Sequence, residues 1–229
     1  MAKLLRQKLT RSLGYCLISI LVSAIIVLIL SAVSFTGVGS FRLAKIPMYL
    51  YLTVSLVMVS FFFLLTSSKD YYQDLPVMVE ASYHRKKIQK AMIVEVLFNI
   101  GLATGVIILA VFGAKLIGNV LEGYGIAVYY SNLYTDSPLF AYVLPGMMIS
   151  SLSYLVISFF IYLAYRFNSI LVFVVFVAGL IALTHFYLEG IKNATMVVVG
   201  DEIVSLVIAL ISIILAVLFT NPVKNLKIK

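Results

Sequence analysis

Charge is scarce in this chain. Asp, Glu, Lys and Arg make up 11% of its 229 residues and hydrophobic residues 63%, whereas ordinary soluble domains carry about a quarter charged residues. That balance excludes a water-soluble globule. Cysteine is nearly lacking too: Cys16 has no second cysteine to pair with, which removes an intrachain disulfide and any multi-cysteine metal site, and it reads as a small buried apolar residue. No G-x-x-x-x-G-K-[ST] occurs, so no nucleotide is held through a Walker loop, and H-E-x-x-H is missing with its metalloprotease arrangement. His84 and His185 do not form a nearby pair. MMISSLS, residues 147–153, lacks the glycine-rich turn of a serine intramembrane protease. Alternation with period two, the mark of a membrane barrel, is also missing.

What the chain does have is long apolar runs. Several reach the roughly 20 residues that cross about 30 Å of hydrocarbon at 1.5 Å per residue, so the fold class is all-α, a polytopic membrane protein. Six transmembrane helices are expected, at about Leu13–Val33, Met48–Thr66, Ala91–Phe112, Pro138–Tyr165, Ser169–Tyr187 and from Asp201 to Thr220. The first run is too long for the core of a cleavable signal and ends in no clear cleavage site. Together the spans form a single transmembrane domain over residues 1–229.

The gaps carry the remaining information. Residues 1–12, MAKLLRQKLTRS, read as a basic segment in the headgroup layer with Lys3, Arg6, Lys8 and Arg11 toward anionic lipid, or as a plain positive flank. Gly101 and Gly105 form a small-xxx-small pattern that suits helix packing. Residues 113–137 read as an outer loop, because glycines, charges and interfacial tyrosines interrupt the apolar pattern. Pro145, followed by Gly146, should kink the fourth span or mark where its outer turns peel off. Residues 188–200 form an outer segment with re-entrant character, and Asp201 or Glu202 is placed to cap the last helix.

Orientation follows from charge. With the N-terminus inside, Lys3, Arg6, Lys8, Arg11, Lys69, Arg85, Lys86, Lys87, Lys90, Arg166, Lys224, Lys227 and Lys229 fall on the inner side, 13 of the 17 basic residues. Arg42, Lys45, Lys115 and Lys192 fall outside. This asymmetry is the positive-inside pattern, and the net charge of +8 reflects topology rather than nucleic-acid binding. Both termini are expected in the cytoplasm and the chain in the plasma membrane, as a multi-pass protein.

Ser67–Lys90 is then a cytoplasmic elbow. Asp74 before Leu75 and Pro76 is a helix-start signal, Leu75, Met78 and Val79 recur at helical spacing, and Ser82 can cap a second helix that enters span three through YHRKKIQK. Glu95, one turn into that span, is expected to reach the interface or to pair with Arg85, Lys87 or Lys90.

The stretch DLPVMVEASYHRKKIQKAMIVE, residues 74–95, together with the basic start, the six spans and the short YRFN link after span four, resembles the membrane permease subunit of ABC transporters of the ABC-2 export type. The resemblance implies a second permease subunit, homo- or heterodimeric, and separate cytoplasmic ABC ATPase subunits that hold ATP and Mg. This chain would carry no cofactor and no catalytic or metal-binding residue of its own. It also implies ATPase-coupling contacts at Tyr71, Tyr72, Asp74, Glu80, Tyr83, His84 and Arg85, and a substrate path that includes Thr53, Ser55 and Ser60 of span two. The apolar character of these spans suits a hydrophobic or amphipathic cargo such as a peptide, a lipid-like molecule or a drug. Alternatives are a six-span substrate-binding subunit of a vitamin uptake system, an intramembrane hydrolase, and a non-transport immunity or assembly protein.

Overall fold

The computed structural model describes residues 2–33, 43–80, 85–128, 140–167 and 202–218. All regular structure among them is helical, in the chain order α1 (Ala2–Val33), α2 (46–80), α3 (Arg85–Gly123), α4 (Phe140–Phe167) and α5 (Glu202–Leu218). Among the described residues, four stretches are long and apolar enough to cross a membrane, Leu5–Ala32, Ile46–Met78, Lys86–Gly123 and Val143–Arg166, and a shorter apolar helix covers Leu206–Leu218. The fifth expected span, Ser169–Tyr187, and the outer segment 188–200 lie outside the described residues.

The local chemistry explains why these helices start and stop where they do. Pro47 sits in the first turn of α2, where its missing N–H costs nothing. At the other end of α3, Gly125 takes φ 74°. Its N–H donates to the carbonyl of Glu122 at 2.9 Å, and the N–H of Ile126 donates to Leu121 at 3.0 Å. These paired bonds close a Schellman motif that leans on glycine's access to the left-handed region.

Several expected boundaries shift. The basic residues of 1–12 do not form a separate interfacial segment, because α1 is one helix from Ala2 to Val33. Nor does α2 end at Thr66. It passes through a π-helical stretch at Thr53–Met58, an α-helical one at Val59–Lys69, a second π-helical stretch at Asp70–Asp74 and a last α-helical one at Leu75–Glu80. The polar residues after Ser67 thus continue the helix instead of breaking it, and Asp74 starts no new one. Residues 113–123 are helical as well, the end of α3 and not an outer loop. Glycine is tolerated inside membrane helices, and the chain turns only at Tyr124 and Gly125. Pro145 lies within α4 as expected.

Packing is organised by a buried cluster in which Phe62 and Phe63 of α2 meet Val96, Ile100 and Ile107 of α3, Tyr154 and Ile157 of α4, Cys16 of α1 and Ala216 of α5. The Phe63 and Tyr154 rings stand edge to face, 5.3 Å apart at 84°, the favoured quadrupolar geometry. Outward, Leu17, Leu21, Ile25 and Leu28 of α1 and Leu109 of α3 are exposed. An apolar surface of this extent is untenable in water and suits lipid. The chain is therefore a membrane-embedded helical bundle.

Close approach of α3 and α4 centres on Gly146. A Cβ built on Gly146 would lie 3.5 Å from Thr104 Cγ2 and 3.7 Å from Ile107 Cγ2, whereas among the described residues nothing lies within 4 Å of a Cβ built on Gly101 or Gly105. A methyl group at 146 fits at ordinary contact distance; a longer side chain does not. Gly146→Ala should leave thermal stability in detergent unchanged or raise it by up to ~1 kcal/mol, while Gly146→Leu should cost about 1–3 kcal/mol through overpacking. Equal melting temperatures for the two variants would contradict this contact.

Candidate functional site

The inner face of α1 is written in small and polar residues. Lys8, Ser12, Cys16, Ser19, Ser23 and Val27 are all buried, and they recur every three or four residues, the spacing of one helix face. Without a hydrophobic drive between helices in lipid, small side chains that let backbones approach are what hold such a face together. The one large member, Lys8, is carried into the bundle with them.

Lys8 is completely buried, and three carboxylates converge on it. Its Nζ donates to Asp70 Oδ1 at 2.5 Å and to Glu95 Oε2, and stands 3.2 Å from Asp74 Oδ2. Asp74 is in turn held in a fork by Arg11, whose Nη1 donates to Oδ1 at 2.9 Å and whose Nη2 donates to Oδ2 at 2.6 Å. Parallel two-bond pairing of this kind is the strongest arrangement open to a guanidinium and a carboxylate. The second π-helical stretch of α2 begins at Asp70 and ends at Asp74, and its wide turn sets both acids toward α1. One junction thus ties α1, the far end of α2 and the start of α3 together through five charged groups.

Aromatic packing backs the junction. Tyr71, Leu75 and Met78 of α2 are buried with Ile88 and Met92 of α3, and Ile161, Tyr162 and Tyr165 of α4 pack against them. Tyr71 lies 5.9 Å from the Tyr162 ring and 6.1 Å from that of Tyr165. One turn deeper, the hydroxyls of Ser67 and Ser158 are 2.9 Å apart, a hydrogen bond from α2 to α4.

The expected site residues divide accordingly. Asp74 belongs to the junction, Tyr71 is buried beside it, and Tyr72 is half-exposed with its ring edge-on to Tyr165 at 5.5 Å. Glu80 closes α2 and Arg85 opens α3, whereas Tyr83 and His84, with the capping position Ser82, lie outside the described residues. Thr53 and Ser55 are buried and Ser60 is partly exposed. The Ser55 hydroxyl donates to the Tyr51 carbonyl of its own helix at 2.8 Å. Two expectations are corrected: Glu95 pairs with Lys8 and not with the basic residues of the elbow, and Lys8 faces the bundle and not the lipid headgroups. Both follow from the continuity of α1, which places Lys8 on the same face as Ser12 and Cys16.

Comparison with family models, with curated proteins and with solved structures gives no match to this chain.

A buried pair that loses one partner leaves an uncompensated charge, at a cost of about 3–5 kcal/mol. Lys8→Met should therefore lower stability by roughly that amount, read as a fall in melting temperature in lipid nanodiscs. Adding Asp70→Asn and Glu95→Gln to Lys8→Met should recover most of the loss, because no unpaired charge then remains beside position 8. A melting temperature unmoved by Lys8→Met would mean that Lys8 is not enclosed by these acids.

Proposed function

We propose that this chain is the permease subunit of an ATP-driven exporter of the ABC-2 type: six spans, termini in the cytoplasm of a plasma-membrane protein, paired with a second permease subunit and driven by separate cytoplasmic ATPase subunits. The cargo is hydrophobic or amphipathic, a peptide, a lipid-like molecule or a drug.

The observation that carries this reading is the position of the five-charge junction. It binds α1, α2 and α3 to one another, and two of its acids, Asp70 and Asp74, lie in the segment between spans two and three to which the sequence resemblance assigns ATPase contact. A push delivered to that segment acts on α2 and α3. It enters helices that are ionically locked to a third, so displacement is passed into the bundle as a rigid-body shift. Tyr72, Glu80, Tyr83, His84 and Arg85 form the proposed contact surface. Asp74 and Tyr71 are reassigned from contact to transmission, since one is bound to Arg11 and the other is buried.

The test is made on the tagged chain purified from its own cell membranes. It should bring with it an ATPase carrying a Walker motif, and Arg85→Glu with Lys86→Glu should reduce the recovered ATPase activity about tenfold, the loss expected from roughly 1.4 kcal/mol of contact energy. Recovery of the permease at normal yield with no ATPase in the wild type would remove the proposal. Co-purification of a vitamin with the wild type would favour the uptake-subunit reading instead.

A further inference from the structure

Among the described residues, the junction does not balance electrically. Arg11 and Asp74 neutralise each other through their two-bond fork. What remains is one ammonium, Lys8, between two carboxylates, Asp70 and Glu95, all three buried. Among the described residues, the other ionisable groups that face this centre are the phenols of Tyr71 from α2 and Tyr154 from α4, which bring no positive charge. Burying a surplus negative charge inside a membrane bundle is costly enough that such groups neutralise instead. Among the described residues, no set of three or more His, Cys, Asp or Glu is arranged to hold a metal ion. The Lys8 ammonium already stands where such an ion would sit.

A second observation points the same way. Asn99 is 1% exposed, and its Oδ1 has no hydrogen-bond partner. Asn99 follows Glu95 by four residues within α3, one turn along the same face, where side chains reach each other. A buried acceptor without a donor is a standing cost. A carboxyl that carries a proton has a donor to give, and an ionised one has none.

We infer that the junction is a proton-binding site: one proton is held between Asp70 and Glu95, resting on Glu95 with its O–H directed to Asn99 Oδ1, while Lys8 donates to the remaining carboxylate oxygens. The proton neutralises the junction, and its release would leave two anions on one ammonium and loosen α3 from α1 and α2. The site therefore links the proton activity of the adjoining aqueous phase to the stiffness of the junction, whichever protein docks at its end.

Infrared difference spectroscopy on the purified full chain in lipid nanodiscs at neutral pH tests this. The wild type should show the carbonyl band of one protonated carboxyl in a buried environment. Charge balance then predicts that Glu95→Gln and Asp70→Asn each abolish it, since either change leaves one carboxylate for Lys8, whereas Asn99→Leu should keep the band and shift its frequency by removing the acceptor. Both amide variants are near-isosteric, and the same samples report by melting temperature that they are folded. A wild type with no protonated carboxyl band overturns the inference, as does a band that survives in both Glu95→Gln and Asp70→Asn. An Asn99→Leu spectrum identical to the wild type's overturns the placement of the proton on Glu95.

Discussion

Everything at the charged end of this bundle depends on the burial of one ammonium. Lys8 brings a full positive charge into a place that water does not reach, and the desolvation that this requires is repaid only by partners at hydrogen-bond distance. Those partners come from two other helices, Asp70 and Asp74 from α2 and Glu95 from α3. The requirement fixes geometry. If α1 slides by a turn along its axis, Lys8 leaves its acids. If α2 ends at Thr66, the acids are not presented. The polar extension of α2 past the apolar run and the unbroken course of α1 are thus two halves of one electrostatic solution.

Away from that end the problem is reversed, since lipid offers no hydrophobic drive for helices to associate and shape must do the work. The chain answers with buried hydroxyls that turn back on their own helix. Ser19 donates to the Tyr15 carbonyl, Ser55 to Tyr51, Thr66 to Phe62 and Thr104 to Ile100, each four residues back. A hydroxyl satisfied in this way acts as a compact, nearly apolar surface and demands nothing of its neighbours. Ser67 is different: its hydroxyl crosses to Ser158, so α2 and α4 are joined by a polar bond at the level where the aromatic packing around Tyr71 begins. The bundle is soft and shape-driven through its middle and chemically specific toward the charged end.

That division explains what could be read from sequence. Apolar run length gave the helical class and four of the spans, because hydrocarbon thickness leaves few other solutions. The junction was also written there, in a form that charge counting conceals. Charge alone groups Lys8 with Lys3, Arg6 and Arg11 as a basic flank, although its own spacing to Ser12, Cys16, Ser19 and Ser23 marks it as the head of a small-residue face. Asp70, Asp74 and Glu95 were visible as acids flanking apolar runs. No local rule says that carboxylates so far apart in sequence share one ammonium, since that depends on three helices meeting in space. The boundary errors have the same origin. Asp74 before Leu75 and Pro76 is a sound helix-start pattern when taken alone, and tertiary ionic bonds overrode it by rewarding a helix that continues.

A device that transmits motion needs a stiff element at its input and compliance elsewhere, and this distribution of interactions supplies both. Charge-assisted hydrogen bonds are lost over a short displacement, so α1, α2 and α3 move together at the junction or separate outright. Van der Waals packing between apolar faces, as at Gly146 against Thr104 and Ile107, permits small sliding steps at little cost. The π-helical stretch at Thr53–Met58 adds a place within α2 where helical pitch already departs from the regular one, and such departures gather at functional positions. Force applied at the charged end would accordingly travel undivided along α2 and be released as a local change of pitch beside Thr53 and Ser55. These residues belong to the segment to which the sequence resemblance assigns the cargo path, which joins the proposed input and the proposed output through a single helix.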